Sequence, residues 1–193
     1  KYTFRTCAPA SDFGRTAMKF IEDVIAPKLG SDPKNLRLAV VHEDSLYGST
    51  VAKVVKEIAT QKGWNIVTIQ PYSAKAVDLS SVVVNLKNAK PDVLIGVSYV
   101  TDAILFWRQS KELDFNPKVF IGCGGGHTMK DFQAAFGNEV DGIFDVDFPQ
   151  YAINPKYAVG IEEFVSMYEK TYGHKPRSGH SLVNYMGALT LFD

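Results

Sequence analysis

The chain has 193 residues, 46% of them hydrophobic, 12% aromatic and 22% charged, which excludes a disordered, collagen-like or coiled-coil protein. Lysine plus arginine and aspartate plus glutamate each number 21, so the formal net charge is zero. That balance argues against a general nucleic-acid or anionic-membrane binder, and no run approaches the roughly 18 apolar residues that a membrane span needs.

Residues 12 to 147 alternate between helical and strand periods. Asp12 is placed to cap a helix in which Ala17, Phe20, Ile21, Val24 and Ile25 recur at helical spacing, with Gly30 as its stop. The apolar, β-branched run 36–42 reads as a buried strand. A helix over 47–62 follows, with Val51, Val54, Val55 and Ile58 on one face and Gly63 as its C-terminal stop. Residues 66–69 form the second strand. The next helix, 79–89, has poor local propensity but keeps its period through Val82, Val83, Leu86 and Ala89. Pro91-Asp92 launches the third strand, 93–97. A helix over 102–113, a strand over 118–122, a helix over 128–136 and a fifth strand over 142–147 complete the series. This order predicts an α/β fold, a doubly wound parallel sheet of about five strands with helices on both faces.

After Pro149 the pattern changes to two helices with no strand between them. Tyr157, Ile161, Phe164, Val165 and Tyr168 make one stripe, and the last helix, 182–192, is apolar on most sides and so needs neighbours. The chain opens on Lys1-Tyr2-Thr3-Phe4, without Met or the regions of a signal peptide, and it stops inside an apolar helix without a Gly or Pro signal. It therefore reads as a piece of a larger protein.

In a doubly wound sheet, ligands bind beyond the carboxyl ends of the strands where the strand order reverses. With the order 2-1-3-4-5, that point lies between the first and third strands. Three loops meet there, His42-Glu43-Asp44-Ser45-Leu46-Tyr47-Gly48, Ser98-Tyr99-Val100-Thr101-Asp102 and Gly122-Cys123-Gly124-Gly125-Gly126-His127-Thr128. Tyr47 and Tyr99 either present a flat apolar face and a hydroxyl to a small amphipathic ligand, or pack at element ends with the hydroxyl in water. The glycines let backbone approach a ligand closely. The glycine loop follows the fourth strand, lacks the spacing of a dinucleotide fingerprint and lacks the Lys of a P-loop, so a plain turn is the better reading than a phosphate cradle.

No Gly-x-Ser-x-Gly elbow is present. His42, His127, His174 and His180 match no metal-ligand spacing and read as solvated or hydrogen-bonded side chains. Of the carboxylates near the switch point, Glu43, Asp44 and Asp102, the two aspartates read as helix caps. Cys7 and Cys123 leave two readings open, one disulfide or two separate small thiols.

The residues at these loops resemble a known family. Phe4-Arg5-Thr6 with residues 14–20, the 42–48 loop, Pro91-Asp92-Val93-Leu94-Ile95, Phe120-Ile121-Gly122 and the stretch 142–151 occur in the order of a type I periplasmic solute-binding protein. The resemblance is to the leucine/isoleucine/valine-binding family that feeds ABC importers, and it covers nearly the whole chain. It implies that residues 1–147 are the second of two lobes, with one crossing near Phe4-Arg5 and the return near Phe148-Pro149-Gln150-Tyr151. Residues 148–193 would then be the crossover and the helices that rejoin the first lobe.

By the same resemblance, Tyr47 and Tyr99 match ligand-contacting tyrosines, and Cys123, Gly124 and Gly125 offer backbone to the ligand. The carboxylate that holds a ligand's ammonium should stand at or near Gly124, where glycines replace it. Either Asp102 takes that task or the ligand is not an ordinary α-amino acid, and a glycine-lined wall leaves room for an aromatic acid or an amide. The implied function is non-catalytic binding of a small organic solute by hinge closure, outside the cytoplasm or in the periplasm. The bound solute would be delivered to an ABC permease, with no cofactor, metal or nucleic acid. Self-association of an isolated fragment is expected from its exposed cleft and terminal helix. The alternatives are an effector-sensing domain of a regulator or receptor with the same fold and, third, a nucleotide-using Rossmann-type enzyme.

Overall fold

The computed structural model describes residues 5, 7–151 and 153–192. Ala10–Val146 form one compact unit, and the described residues of Lys1–Pro9 and Asp147–Asp193 form a second. Phe4, where the first crossing is expected, lies outside the described residues.

The first unit is built on five parallel strands, β1 (Arg37–Glu43), β2 (Asn65–Tyr72), β3 (Val93–Val97), β4 (Val119–Cys123) and β5 (Phe144–Val146), in the order β2-β1-β3-β4-β5. The order reverses between β1 and β3, as it does in the common doubly wound order assumed above. Every residue of β3 and β4 is buried, and only Arg37 of β1 is exposed, because helices cover both faces of the central strands. On one face Ala39, Val41, Leu94 and Phe120 pack with Val83 and Leu86 of α4 (Ser80–Ala89) and Phe106 of α5 (Val100–Glu112). The alternate residues Leu38, Val40, Ile95 and Ile121 are equally buried and face the other way. On that side α1 (Ala10–Phe20) packs against α3 (Leu46–Lys62).

The departures from the sequence reading have local causes. The first helix does not run straight to Gly30. It passes through a π-helical turn (Ile21–Ile25) into the short α2 (Ala26–Lys28). In an ordinary α-turn the ring of Pro27 would meet the carbonyl four residues back, and the wider turn relieves that clash. Strand β2 extends past Ile69 through Pro71 to Tyr72, which an edge strand tolerates, since a proline there need not donate to a neighbour. Helix α4 has no side-chain cap at its start and owes its place to Val83 and Leu86, both fully buried. Helix α6 (Lys130–Phe136) is shorter than the 128–136 span expected. Gly63 ends α3 as expected, at φ +68°.

At the amino ends of the strands, one carboxylate ties three of them together. Asp92 Oδ2 accepts the Arg37 backbone N–H at 2.9 Å, Asp92 Oδ1 pairs with Lys118 at 2.7 Å, and the Asp92 carbonyl accepts the Val119 N–H at 3.0 Å. The hydrogen bond from Lys118 holds the Asp92 carboxyl below the usual carboxylate range, with the Arg37 N–H adding to it. The Arg37 guanidinium donates to the Ala89 and Lys90 carbonyls at 2.7 and 3.0 Å and so closes the end of α4.

The second unit holds a 3-10 turn (Pro155–Tyr157), α7 (Ile161–Tyr172) and α8 (Gly179–Phe192) around a small core of Ile161, Phe164 and Leu182. The stretch 147–150 is laced to the start of α8. Gln150 accepts the Gly179 N–H at 3.1 Å, His180 stacks edge-on against Phe148 at 5.0 Å, and a Cβ at Gly179 would fall 2.5 Å from the Pro149 carbonyl oxygen. Met186, Leu189, Leu191 and Phe192 on α8 are exposed. No described helix is long and apolar enough to cross a membrane.

Asp92→Ala is expected to lower stability in urea unfolding at pH 7 by about 1 kcal/mol, because it removes the acceptor of the Arg37 backbone N–H and the partner of Lys118. A carboxyl with a depressed folded-state pKa stabilises above its unfolded pKa and loses that contribution as pH falls through its folded pKa. The gap between variant and parent should therefore close as pH drops below the ordinary carboxylate range.

Candidate functional site

The loops that leave the carboxyl ends of β1, β3 and β4 meet at the point where the strand order reverses. The first is organised by Glu43, the last residue of β1, whose side chain is 0% exposed. Its carboxyl group accepts the Ser45 N–H at 2.6 Å, the Ser45 hydroxyl at 2.9 Å and the Gly48 N–H at 2.7 Å. Ser45 in turn caps α3 by accepting the Tyr47 N–H at 3.1 Å. Position 48 must be glycine for this, since a Cβ there would lie 2.6 Å from Glu43 Oε1. Asp44, expected as the cap, instead accepts the Ala74 N–H at 3.2 Å. The serine one residue later takes the capping position because its short hydroxyl reaches the first turn.

Tyr47 is thereby set half-buried at the head of α3. Its ring meets Phe13 edge-on at 5.8 Å and lies 6.3 Å from the ring of Tyr99, tilted by 41°. Its hydroxyl abuts Gly124, where a Cβ would come within 2.2 Å of it. Gly124 has φ +87° and donates its N–H to the Val146 carbonyl at 2.9 Å. At Gly126, a Cβ would fall 2.4 Å from the Ser98 carbonyl oxygen. The side-chain space at these two glycines is therefore filled by Tyr47 and by the Ser98–Tyr99 backbone. This corrects the expectation of a roomy glycine-lined wall, because the glycines serve close packing of the chain against itself.

Tyr99 stands at the start of α5 with half its surface (52%) exposed. Beneath it, Asp102 is 2% exposed and accepts the Tyr72 hydroxyl at 2.6 Å, along with the backbone N–H groups of Tyr99 and of its own residue. Helix α5 begins at Val100 rather than at 102 and has Tyr99 at its cap position, so Asp102 is not the cap expected but ties the first turn from inside it. Ser98 Oγ lies 2.9 Å from the Tyr72 hydroxyl and completes the cluster. Burial pushes the Asp102 carboxyl above the usual range, with the Tyr72 hydrogen bond opposing the shift. The Tyr72 phenol is raised as well, first by burial and then by the charge of Asp102. A solute can reach Asp102 only by displacing these partners.

The structure thus brings Tyr47, Tyr99 and Gly124 together. Cys123, the last residue of β4, is buried and outside any disulfide, with its backbone between Val97 and Val146, while Cys7 is exposed. Gly125 is half-buried in the loop that follows. Helix α6 starts only at Lys130, so the glycine loop does not open directly into a helix as a phosphate cradle does.

The histidines are dispersed. His42 is buried with Nδ1 2.8 Å from the Glu43 carbonyl oxygen, and His174 Nδ1 lies 2.9 Å from the Lys175 carbonyl oxygen. The His127 side chain is buried between the rings of Phe120 and Phe132, 3.4 Å from Asp145. No three His, Cys, Asp or Glu side chains converge as metal ligands among the described residues. Sequence reasoning missed Glu43 as the organiser of its loop and Tyr72 as the partner of Asp102. The run Glu43-Asp44-Ser45-Leu46-Tyr47-Gly48 carried a signal for the first. Nothing local carried the second, because Tyr72 and Asp102 meet only through the sheet.

The switch-point loops of this doubly wound sheet thus present tyrosines and close-packed glycines, and the carboxyl groups of Glu43 and Asp102 beside them are bound within their own chain. The chain belongs to the periplasmic binding protein family, whose model matches residues 1–193. It is 42% identical over 191 residues to Leu/Ile/Val-binding protein homolog 7 of Brucella suis, covering 98% of this chain and 48% of that protein. It is 39% identical over 193 residues to Leu/Ile/Val-binding protein homolog 8 of Brucella abortus, covering 100% of this chain and 48% of that one. Among solved structures, the fold is shared with the leucine-, isoleucine-, valine-, threonine- and alanine-binding protein from Brucella ovis in a closed conformation. That match has a TM-score of 0.74 at 17% identity and covers 97% of this chain and 45% of the other. The chain spans about half (48%) of the length of the curated relatives it matches.

Tyr72→Phe removes a hydrogen bond to a buried carboxyl group and is expected to cost about 1–3 kcal/mol at pH 7. That bond favours the ionised carboxylate, so the loss should shrink as pH falls through the raised pKa of Asp102. Urea unfolding of both proteins at neutral pH and near the ordinary carboxylate pKa measures this.

Proposed function

We propose that this chain is the second lobe of a two-lobed, non-catalytic receptor that traps a small organic solute between its lobes. The receptor works outside the cytoplasm and delivers the solute to an ABC permease. The observation that carries this reading is the pairing of Tyr47 and Tyr99 beside Gly124 at the switch point, above two carboxyl groups bound to their own chain. Glu43 and Asp102 both have hydrogen-bonded partners at their oxygens and are almost wholly buried, so neither stands ready as a general base. What remains toward solvent is aromatic face, a tyrosine edge and backbone, which suits recognition rather than turnover. Closure on the solute follows from contacts that both lobes make only in the closed state.

In this reading Tyr47, Tyr99 and the backbone of Cys123, Gly124 and Gly125 contact the solute, and Asp102 is a positioning residue for Tyr99. The relatives' names point to leucine, isoleucine and valine. The absence of a side chain at Gly124 and the occupied state of Asp102 favour a solute whose end toward this lobe carries no ammonium group, such as an amide or an aromatic acid.

The test is a thermal-melt panel on the intact protein, with branched-chain amino acids, neutral amides, aromatic acids and nucleotides. A solute at about 100 times its dissociation constant adds roughly 2.7 kcal/mol and moves the midpoint by several degrees. A shift with one class of organic solute and no turnover is expected, and a shift with nucleotides alone would sink the receptor reading. Tyr99→Ala should weaken solute binding by about tenfold or more, by loss of stacked aromatic area, while leaving the solute-free midpoint nearly unchanged because the ring is exposed. Tight binding of leucine with aromatic acids and amides inert would overturn the ligand class and leave the receptor reading standing.

A further inference from the structure

Beneath Tyr99 the side chains of Tyr72, Ser98 and Asp102 are all buried, and Glu43 is buried close enough for its charge to act on Asp102. The Tyr72 hydroxyl has three oxygens in reach, Asp102 Oδ2 at 2.6 Å, Ser98 Oγ at 2.9 Å and the Val97 carbonyl at 3.3 Å, yet it has one proton to donate. It can therefore turn. Glu43 has no such freedom in its partners, because two of its three donors are the fixed backbone N–H groups of Ser45 and Gly48. Asp102 is the third residue of α5, and its carboxyl group reaches back to the N–H of Tyr99 at the cap position. Two buried carboxyl groups that feel each other's charge do not both favour ionisation, and the one whose partner can turn is the one that takes a proton.

We propose that the Ser98–Tyr72–Asp102 chain binds a proton from the surroundings and thereby sets how firmly Tyr99 is held. At neutral pH the Tyr72 hydroxyl donates to the Asp102 carboxylate. As the surroundings acidify, Asp102 gains a proton from water and donates it to the Tyr72 oxygen, while the Tyr72 hydroxyl turns to Ser98 Oγ or to the Val97 carbonyl. The buried hydroxyl keeps a partner in both states, so the proton enters without orphaning it. The Tyr99 N–H then faces a neutral acid instead of a carboxylate, and a charge-assisted hydrogen bond is roughly twice as strong as a neutral one. The amino end of α5 loses a favourable negative charge as well. Glu43 and Tyr72 are the titratable groups that act on Asp102. His42 alternates to the other face of the sheet from Glu43, and Gly126, packed on the Ser98 and Tyr99 carbonyls, brings no charge. The device rests on the reading of Tyr99 as a solute contact, under which the receptor grips its solute less firmly in acid.

The experiment titrates the intact, 13C,15N-labelled protein from about pH 7.5 to about pH 4 with no solute present, so its failure would leave the receptor reading standing. The Asp102 carboxyl carbon should titrate above the ordinary aspartate range, and the Tyr99 amide cross-peak should move with the same midpoint. In Asp102→Asn the Tyr99 cross-peak should hold one position across that range. In Tyr72→Phe the loss of the hydroxyl should raise the proton affinity read at Asp102 and at Tyr99 together, by about three- to tenfold. The proposal is overturned if the Tyr99 cross-peak does not titrate, if its midpoint differs from that of the Asp102 carboxyl, or if it still titrates in Asp102→Asn. Should Asp102→Asn fail to fold, Tyr72→Phe decides, and a Tyr99 midpoint that stays in place while that of Asp102 moves overturns the proposal.

Discussion

A carboxyl group closed off from water at the end of a central strand must find donors, and at Glu43 all three come from the next five residues. Meeting that demand bends the chain after β1 into one shape, brings Ser45 to the head of α3 and admits only glycine at position 48. Tyr47 then has one place to stand. Its position decides what is possible at Gly124, and the glycine loop in turn lies flat against the Ser98–Tyr99 turn. The loop cluster is therefore assembled outward from a side chain that is wholly buried.

Asp102 repeats the arrangement one loop away, with Tyr72 as its donor and the turn of Tyr99 as its load. The two tyrosines share this kind of support but differ in freedom. Tyr47 is held on several sides by Phe13, Gly124 and its own capping turn, whereas Tyr99 is anchored at the backbone and free at the ring.

The alternation of strands and helices was legible in the sequence, because near-continuous apolar runs such as Val93–Val97, set between helical periods, suit strands covered on both faces, whereas the order 2-1-3-4-5 was assumed as the common one and is the order found. That topology also placed Tyr47, Tyr99 and Gly124 near one another, as the structure has them. The role of the glycines was not legible, since a sequence does not tell whether a missing side chain makes room for a ligand or for a tyrosine hydroxyl from another loop. Partnerships across the sheet escaped for the same reason. Tyr72 lies 30 residues from Asp102 in the chain, and the strand expected over 66–69 in fact continues to Tyr72. The π-helical turn ahead of Pro27 was hidden because its apolar spacing matches that of an ordinary helix.

The contact between the Tyr47 hydroxyl and Gly124 couples two distant positions in sequence space. An acidic side chain at 124 and a tyrosine hydroxyl in its present place exclude each other, since even a Cβ would come within 2.2 Å of the hydroxyl, at a φ of +87°. A descendant that gains a carboxylate there must in the same step retract or replace residue 47 and relax the loop. Residues 47 and 124 are thus inherited as a pair, and a side chain gained at 124 alone meets a barrier.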